Sequence, residues 1–366
     1  MAFDTTDIVI SIIKIAIVLG MMLQITPVMS WVERRGSALI QDRPGPNRVG
    51  PLGLFQSIAD AAKFFMKEDI IPAQAHKWLY TLAPAIGLLP ALTTVAVVPW
   101  GRPFLLHETT VFGRTILQGG RWFVPVLADV DVGILVVFAL GSLSVYGVTT
   151  AGWASANKYS LFGAIRSSAQ MISYELALTL AAVSALLVAG SLRLTDVVWK
   201  QTGYFVLFDT IKIPAWNVFS PAMWLSFIIF TVAAFAETNR LPFDFAEADA
   251  ELVAGYHTEY SSMKFALFFM SEYMAMGTMS ALIATLFFGG WDIPWYNEPA
   301  TFIGFLLSAV SFLIKVSFMM FVFVWVRWTI PRLKYDILMK IGWKVFLPLA
   351  IFNIILVAAF IAKGWI

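Results

Sequence analysis

The sequence predicts an all-α, polytopic membrane fold, and three observations carry that expectation: a composition too apolar for water, apolar runs of spanning length, and basic residues gathered on alternate loops. Of the 366 residues, 59% are hydrophobic and 13% charged, with a mean hydropathy of +0.79. A soluble domain carries about a quarter of its residues as charges. The 14 Trp and 31 Phe suit a lipid-facing surface with aromatic belts at its two edges. There is no cysteine, which excludes disulfides, thiolate-held zinc, iron–sulfur clusters and thiol catalysis from this chain. A formal charge of +2 gives no reason to expect a nucleic-acid partner.

Eight runs are long enough to cross about 30 Å of hydrocarbon: Ile8–Trp31, Trp78–Trp100, Val132–Trp153, Ile165–Gly190, Phe219–Phe235, Phe265–Phe288, Phe302–Trp328 and Trp343–Ala362. Pro84 and Pro90 fall inside the second, where neighbouring helices can satisfy the freed carbonyls, so a kink without a break is expected. The N-terminus opens on Asp4 and Asp7 in place of a basic stretch, so the first run reads as a retained span and not a cleaved signal. The whole of 1–366 then forms a single membrane domain.

Eight spans put both termini on one side. Sixteen loop lysines and arginines lie on the odd-to-even connections, from Arg34 to Lys344, against seven on the other side, namely Arg102, Arg114, Arg121, Arg193, Lys200, Lys212 and Lys363. The richer side faces the cytoplasm or matrix and both termini face away. Two polar segments, 32–77 and 237–264, are therefore inner-face loops. Within the first, Leu54, Ile58, Ala61, Ala62 and Phe65 recur at helical spacing opposite Gln56, Asp60, Lys63 and Lys67. That pattern is an amphipathic helix lying in the interface, either a surface anchor or the wall of a site.

The second segment concentrates chemistry. Glu237, Asp244, Glu247, Asp249 and Glu251 fall within fifteen residues, with Arg240 among them. If 244–251 is helical, Asp244, Glu247 and Glu251 share one face. Closely spaced carboxylates do not all ionise cheaply, so the cluster is expected to hold exchangeable protons. A solvated acidic loop is the plainer reading, but Pro242, Phe243, Phe245 and Leu252 interrupt the charges and the segment abuts spans, where carboxylates are costly.

Inside the spans, Glu175 lies ten residues into the fourth run and Glu272, followed by Tyr273, seven into the sixth. At about 1.5 Å per residue these are roughly 15 and 10 Å below the inner surface. Lys315 sits near the middle of the seventh. Such groups must face the bundle interior, pair or become neutral: a structural ion pair of Lys315 with one of the glutamates, or a proton path. The three histidines, His76, His107 and His257, fall at span ends or in loops, which argues against an intramembrane bis-histidine haem. No phosphate-binding glycine loop, dinucleotide fingerprint or nucleophile elbow is present.

Three longer signatures, Asp42-Arg-Pro-Gly-Pro-Asn-Arg-Val-Gly-Pro-Leu-Gly53 running on to Lys63, Pro242-Phe-Asp-Phe-Ala-Glu-Ala-Asp-Ala-Glu-Leu-Val-Ala-Gly255, and Val326-Arg-Trp-Thr-Ile-Pro-Arg-Leu-Lys-Tyr-Asp336, resemble those of one membrane component of bacterial respiratory complex I (NADH-quinone oxidoreductase), its H subunit, the counterpart of mitochondrial NADH dehydrogenase subunit 1. The resemblance covers essentially the whole chain. It implies a membrane component of a proton-pumping NADH:quinone oxidoreductase in the bacterial inner membrane. Such a component touches the quinone-reducing peripheral-arm subunits, small membrane subunits and lipid, and holds no redox centre. Ubiquinone or menaquinone is then the substrate at its edge, with no covalently or metal-held cofactor in this chain. By resemblance, Arg34, Arg43, Asp60, Lys63 and Phe243 belong to the quinone tunnel. Glu175, Glu237, Asp244, Glu247, Asp249, Glu251, Glu272 and Tyr273 belong to a proton or charge relay. Asp249 stands where the family usually has Glu, and His257 where Asn is frequent. Two other classes compete: a stand-alone cation/proton antiporter using Glu175 and Lys315, which leaves the stiff Pro-Gly loop unexplained, and the membrane anchor of a proton-coupled hydrogenase.

Overall fold

The structure is a computed structural model and describes residues 5–106, 109–111, 114–117, 120–207, 211–244, 253–296 and 299–364. Helix follows helix: α1 (Thr5–Ile40), α2 (Gln56–Met66), α3 (Lys77–Thr94), α4 (Gly133–Ala154), α5 (Lys158–Ala189), the short α6 (Leu194–Gln201), α7 (Trp224–Glu237), α8 (Ser262–Phe287) and α9 (Phe302–Thr329). The chain ends in α10 (Tyr335–Ile341) and α11 (Leu347–Ala362), joined by one π-helical turn, Gly342–Phe346. Seven helical stretches are long and apolar enough to span a bilayer. The fold is that of an all-α polytopic membrane protein.

The fifth expected crossing is the shortest, an apolar helix over Pro221–Glu237 that opens with a 3₁₀ turn. Its length lies at the lower end of the ~17–25 residues a span needs. Elsewhere the helices overrun the apolar limits read from sequence: α1 continues to Ile40 and α5 begins at Lys158. Backbone hydrogen bonding continues past the hydrocarbon edge, where hydropathy no longer reports it. The second run behaves oppositely, since α3 ends at Thr94 and a 3₁₀ turn follows over Val95–Val97. Pro84 and Pro90 sit within α3 without ending it, as expected.

Side chains mark the helix ends. The Asn157 carboxamide accepts from Tyr159 N at 2.9 Å to open α5, and left-handed Gly190 closes it with its N–H on Leu186 O at 2.8 Å. Small residues let the backbones approach: a Cβ on Gly147 of α4 would stand 2.6 Å from Gly87 N of α3, and buried Ala177, Ala181, Ala182 and Ala185 line α5. The most enclosed spans are α8 and α5, with α1 and α11 at the periphery.

In the loops expected on the outer side, short antiparallel strands appear that the sequence did not suggest. Phe104–Leu106 pairs with Arg121–Phe123, Thr109–Val111 with Arg114–Leu117, and Tyr204–Leu207 with Ile211–Pro214. Asp129 accepts from Arg193 Nε at 2.7 Å and from Thr195 Oγ1 at 2.7 Å, clamping the loop before α4 to the one after α5. The Arg193 guanidinium beside Asp129 holds its carboxyl below the usual range, against the opposing effect of burial.

Candidate functional site: a buried acidic chamber and its inner-face approach

Between α3, α4, α5, the end of α7 and α8 lies an internal cavity of about 60 Å³. One water needs only ~10–15 Å³, so the space is ample for solvent. Glu237, Glu272, Tyr256, Ser144, Ser271 and Asn239 are among its lining residues. Glu237 is the last residue of α7 and Glu272 lies on α8, and both are buried. Glu272 Oε1 accepts from the Tyr256 hydroxyl at 3.1 Å. Glu237 Oε2 is buried without a hydrogen-bond partner among the described residues. A buried carboxyl oxygen left so is costly unless it meets water or carries a proton. Glu175, on α5, accepts from Ser142 of α4 and interacts electrostatically with Glu237.

Tyr273, next to Glu272 on α8, points elsewhere, because successive helical side chains diverge by about 100°. Its hydroxyl donates to Glu33 Oε2 at 2.7 Å. Glu33, on α1, also accepts from Arg327 Nη1 at 2.7 Å and Arg240 Nη1 at 3.2 Å, and the Arg240 guanidinium lies 4.3 Å from the centre of the Tyr273 ring. One carboxylate thus joins α1, the segment after α7, α8 and α9. Helix α8 is the shared wall, with the Glu33 cluster on one side and the acidic cavity on the other.

The start of the acidic segment is pinned. Gln170 Nε2 donates to Ala236 O and Phe243 O, each at 2.8 Å, and Asp244 Oδ2 accepts from Arg332 Nη2 at 3.1 Å. Phe243 is buried with its ring 5.5 Å from that of Tyr174. Glu247, Asp249 and Glu251 lie outside the described residues, as do His107 and the helical face expected for 244–251.

The 32–77 loop, expected at the inner face, closes onto α1. The Arg34 guanidinium donates to Asp60 Oδ2 at 2.5 Å, Gln56 Nε2 to Asp60 Oδ1 at 3.1 Å, and Lys63 Nζ lies 3.5 Å from Asp60 Oδ1. Burial disfavours the Asp60 carboxylate, but these hydrogen bonds and cations outweigh it and hold the carboxyl below its ordinary range. Ser57 Oγ donates to Pro27 O at 2.7 Å, and Trp31 Nε1 to Leu52 O at 3.0 Å. These bonds turn the apolar side of α2, with Ile58 and Phe65, outward and exposed. Arg43 stays apart, bonded to Gln41 at 2.6 Å and Ser37 at 3.4 Å.

Lys315 lies on α9. Its ammonium donates to Gly290 O at 2.9 Å and Asp292 O at 2.5 Å and lies 4.1 Å from the Trp216 ring centre, beyond the C-terminal end of α8. Both carbonyls belong to the turn that follows α8 and not to the helix itself. Glu33 was not among the expected site residues. Its signal, an acid at the end of a span beside two arginines, is present in Glu33-Arg34-Arg35, but its partners Arg240 and Arg327 lie more than 200 positions away along the chain. Among the described residues no group of three His, Asp or Glu side chains is placed to hold a metal ion.

Seven long apolar helices, with two buried glutamates at a cavity between α3, α4, α5, the end of α7 and α8, define a helical membrane protein with ionisable groups inside its bundle. A family model described as NADH dehydrogenase matches residues 13–358. Similar chains include the H subunit of NADH-quinone oxidoreductase from Salinibacter ruber, 46% identical over 353 residues that cover 93% of each chain. Subunit 8 of the same enzyme from Rhodothermus marinus is 46% identical over 356 residues, covering 94% of this chain and 95% of that one. The first of the H subunits of Geobacter metallireducens is 45% identical over 361 residues, covering 98% and 97%. The chain belongs to the NADH dehydrogenase family, among the H subunits of NADH-quinone oxidoreductase.

Proposed function

We propose that this chain is the membrane subunit that borders the quinone tunnel of a proton-translocating NADH:quinone oxidoreductase and couples quinone reduction to proton movement through its buried carboxyls. The observation that carries the reading is the cavity lined by Glu237 and Glu272, one of them with an unpartnered oxygen. A quinone accepts two electrons and two protons, and the electrons come from centres in other subunits. What this chain contributes is position and charge. Arg34 and Asp60 stand at the inner face, and Glu33, the residue before Arg34, turns inward to Tyr273, Arg240 and Arg327. Glu272 follows on the cavity side of α8, then Glu237, with Glu175 beyond.

A change of charge at the tunnel acts on this chain only through its differential interaction with the two quinone states. The Glu33 cluster responds first, since one carboxylate there balances two guanidinium groups. Protons then redistribute through the cavity, whose hydroxyls and space for water supply the intermediate steps. Lys63, Arg43 and Phe243 belong to the tunnel side of this reading, and Asp244, Glu247, Asp249 and Glu251 to the relay, by resemblance. The partners are the peripheral-arm and small membrane subunits of the same enzyme. The membrane is the bacterial inner membrane, with both termini on its outer side, a reading supported by the asymmetry of the basic loops.

The test is Glu237→Gln and Glu272→Gln in the assembled enzyme, reconstituted in vesicles. Each is expected to lower coupled turnover by about 100-fold, the lower end of what a positioned proton-transfer group contributes. Quinone reduction at the parental rate with an unaltered proton-to-electron ratio in both variants overturns the proposal.

A further inference from the structure

The inner ends of the last two spans carry a surface that the proton route does not use. Over residues 330–344 the chain holds Arg332, Lys334, Lys340 and Lys344 against a single acid, Asp336. All five are exposed, as are Ile330, Ile337 and Trp343. Ile337, Lys340 and Lys344 succeed one another at helical spacing through α10 and the π-helical turn, so they form one stripe. From the α5 side Arg166 stands with its guanidinium 5.7 Å from the centre of the Tyr335 ring, which brings a further cation to the same edge.

The surroundings identify the occupant. The stripe continues into the exposed apolar side chains Val345, Leu349 and Phe352 of α11 and the turn before it, next to a basic patch that the positive-inside asymmetry puts at the inner membrane surface. Trp343 is fixed at that level, donating its indole N–H to Ser173 Oγ at 3.1 Å while its ring stays half exposed. Trp325 and Trp328, in the last turns of α9, are exposed as well. A basic cluster, interfacial indoles and an unbroken apolar face beneath them are the three parts that a phospholipid with a negative headgroup requires. A protein partner of this polarity would meet the charges but would not call for the apolar continuation.

We propose that residues 330–344, with the adjoining face of α11, bind an anionic phospholipid. Lys340 and Lys344 hold its phosphodiester, Trp343 lies beside the glycerol backbone, and the acyl chains run along Val345, Leu349 and Phe352. The site borders the acidic segment, because Arg332 also holds Asp244.

The assembled enzyme, exchanged into phosphatidylcholine vesicles with and without phosphatidylglycerol, gives the test, with spin-labelled phosphatidylglycerol as the probe. Each lysine near a charged surface contributes about a fivefold preference, so Lys340→Gln with Lys344→Gln is expected to weaken retention of the probe about thirtyfold. The double Arg variant is expected to retain it. If the double Gln variant does not assemble, Lys340→Gln alone should show the fivefold loss, and the parent enzyme should lose its selectivity as ionic strength rises. Retention that is unchanged in the Gln variants, or insensitive to salt in the parent, overturns the proposal. So does displacement of the probe by inorganic phosphate, which marks a bare anion site. A photo-crosslinker at Trp343 that labels a neighbouring subunit and no lipid also overturns it.

Discussion

At the scale of single residues, Glu33 carries more than any described acid of the 237–264 loop. It is buried, accepts three charged or hydroxyl donors, and is followed by the arginine that holds Asp60. Removing one member of a buried pair leaves its partners uncompensated, so Glu33→Ala is expected to cost about 3–5 kcal/mol and to deplete the assembled enzyme on a native gel. Tyr273→Phe removes only the hydroxyl donated to Glu33, at a cost of about 1.5–3 kcal/mol. That variant should assemble and show slowed proton uptake at unchanged peripheral NADH oxidation. The sequence announced Glu272 through its depth in a span, and Tyr273 only through the family resemblance. It could not announce Glu33 as the partner of Tyr273, because an ion cluster across four elements leaves no local pattern.

At the scale of elements, helix existence was legible and helix ends were not. Apolar runs report the hydrocarbon, whereas α1 and α5 extend beyond it on backbone hydrogen bonds and caps. The amphipathic α2 was legible from its spacing. Which way it faces was not, because Ser57, Trp31 and Asp60 fix that by long-range bonds to α1 and its flanks. Close helix contact gives a prediction here: Gly147→Val drives a side chain into the Gly87 backbone and is expected to cost about 1–3 kcal/mol, read as a lowered thermal midpoint of the enzyme.

The outer clamp gives another prediction at this scale. The Asp129 pKa in the folded protein lies below its ordinary 3.8, so the stability it contributes is complete above pH 3.8 and is lost as pH falls through the lower folded value. Arg193→Gln removes the clamp, and because both groups are partly exposed to solvent the expected loss is only about 1 kcal/mol at neutral pH. The difference between variant and parent in thermal melts should therefore shrink as the pH is taken below that range. A difference that grows on acidification contradicts the assignment.

At the scale of the whole molecule, composition and charge placement sufficed for the class of fold, and the three loop signatures for the family. The chamber was only half legible. Glu175, Glu237 and Glu272 were picked out by depth or by crowding, but the meeting of Glu237 and Glu272 at one cavity depends on the packing of α3, α4, α5, α7 and α8, which glycine and alanine contacts decide. Topology can be tested directly because the chain has no cysteine. Lys67→Cys should react with a membrane-impermeant maleimide only from the cytoplasmic face, and Lys200→Cys only from the opposite one. The reverse pattern would invert the orientation and separate the chamber from the peripheral arm.

The central claim is that a carboxyl in this chamber changes its proton occupancy when the neighbouring quinone is reduced. Redox-difference infrared spectroscopy of the assembled enzyme reads protonated carboxyls directly. The account predicts a carboxyl band that appears or vanishes on quinone reduction in the parent and is absent in Glu237→Gln. A spectrum in which that band is the same in parent and variant would contradict it.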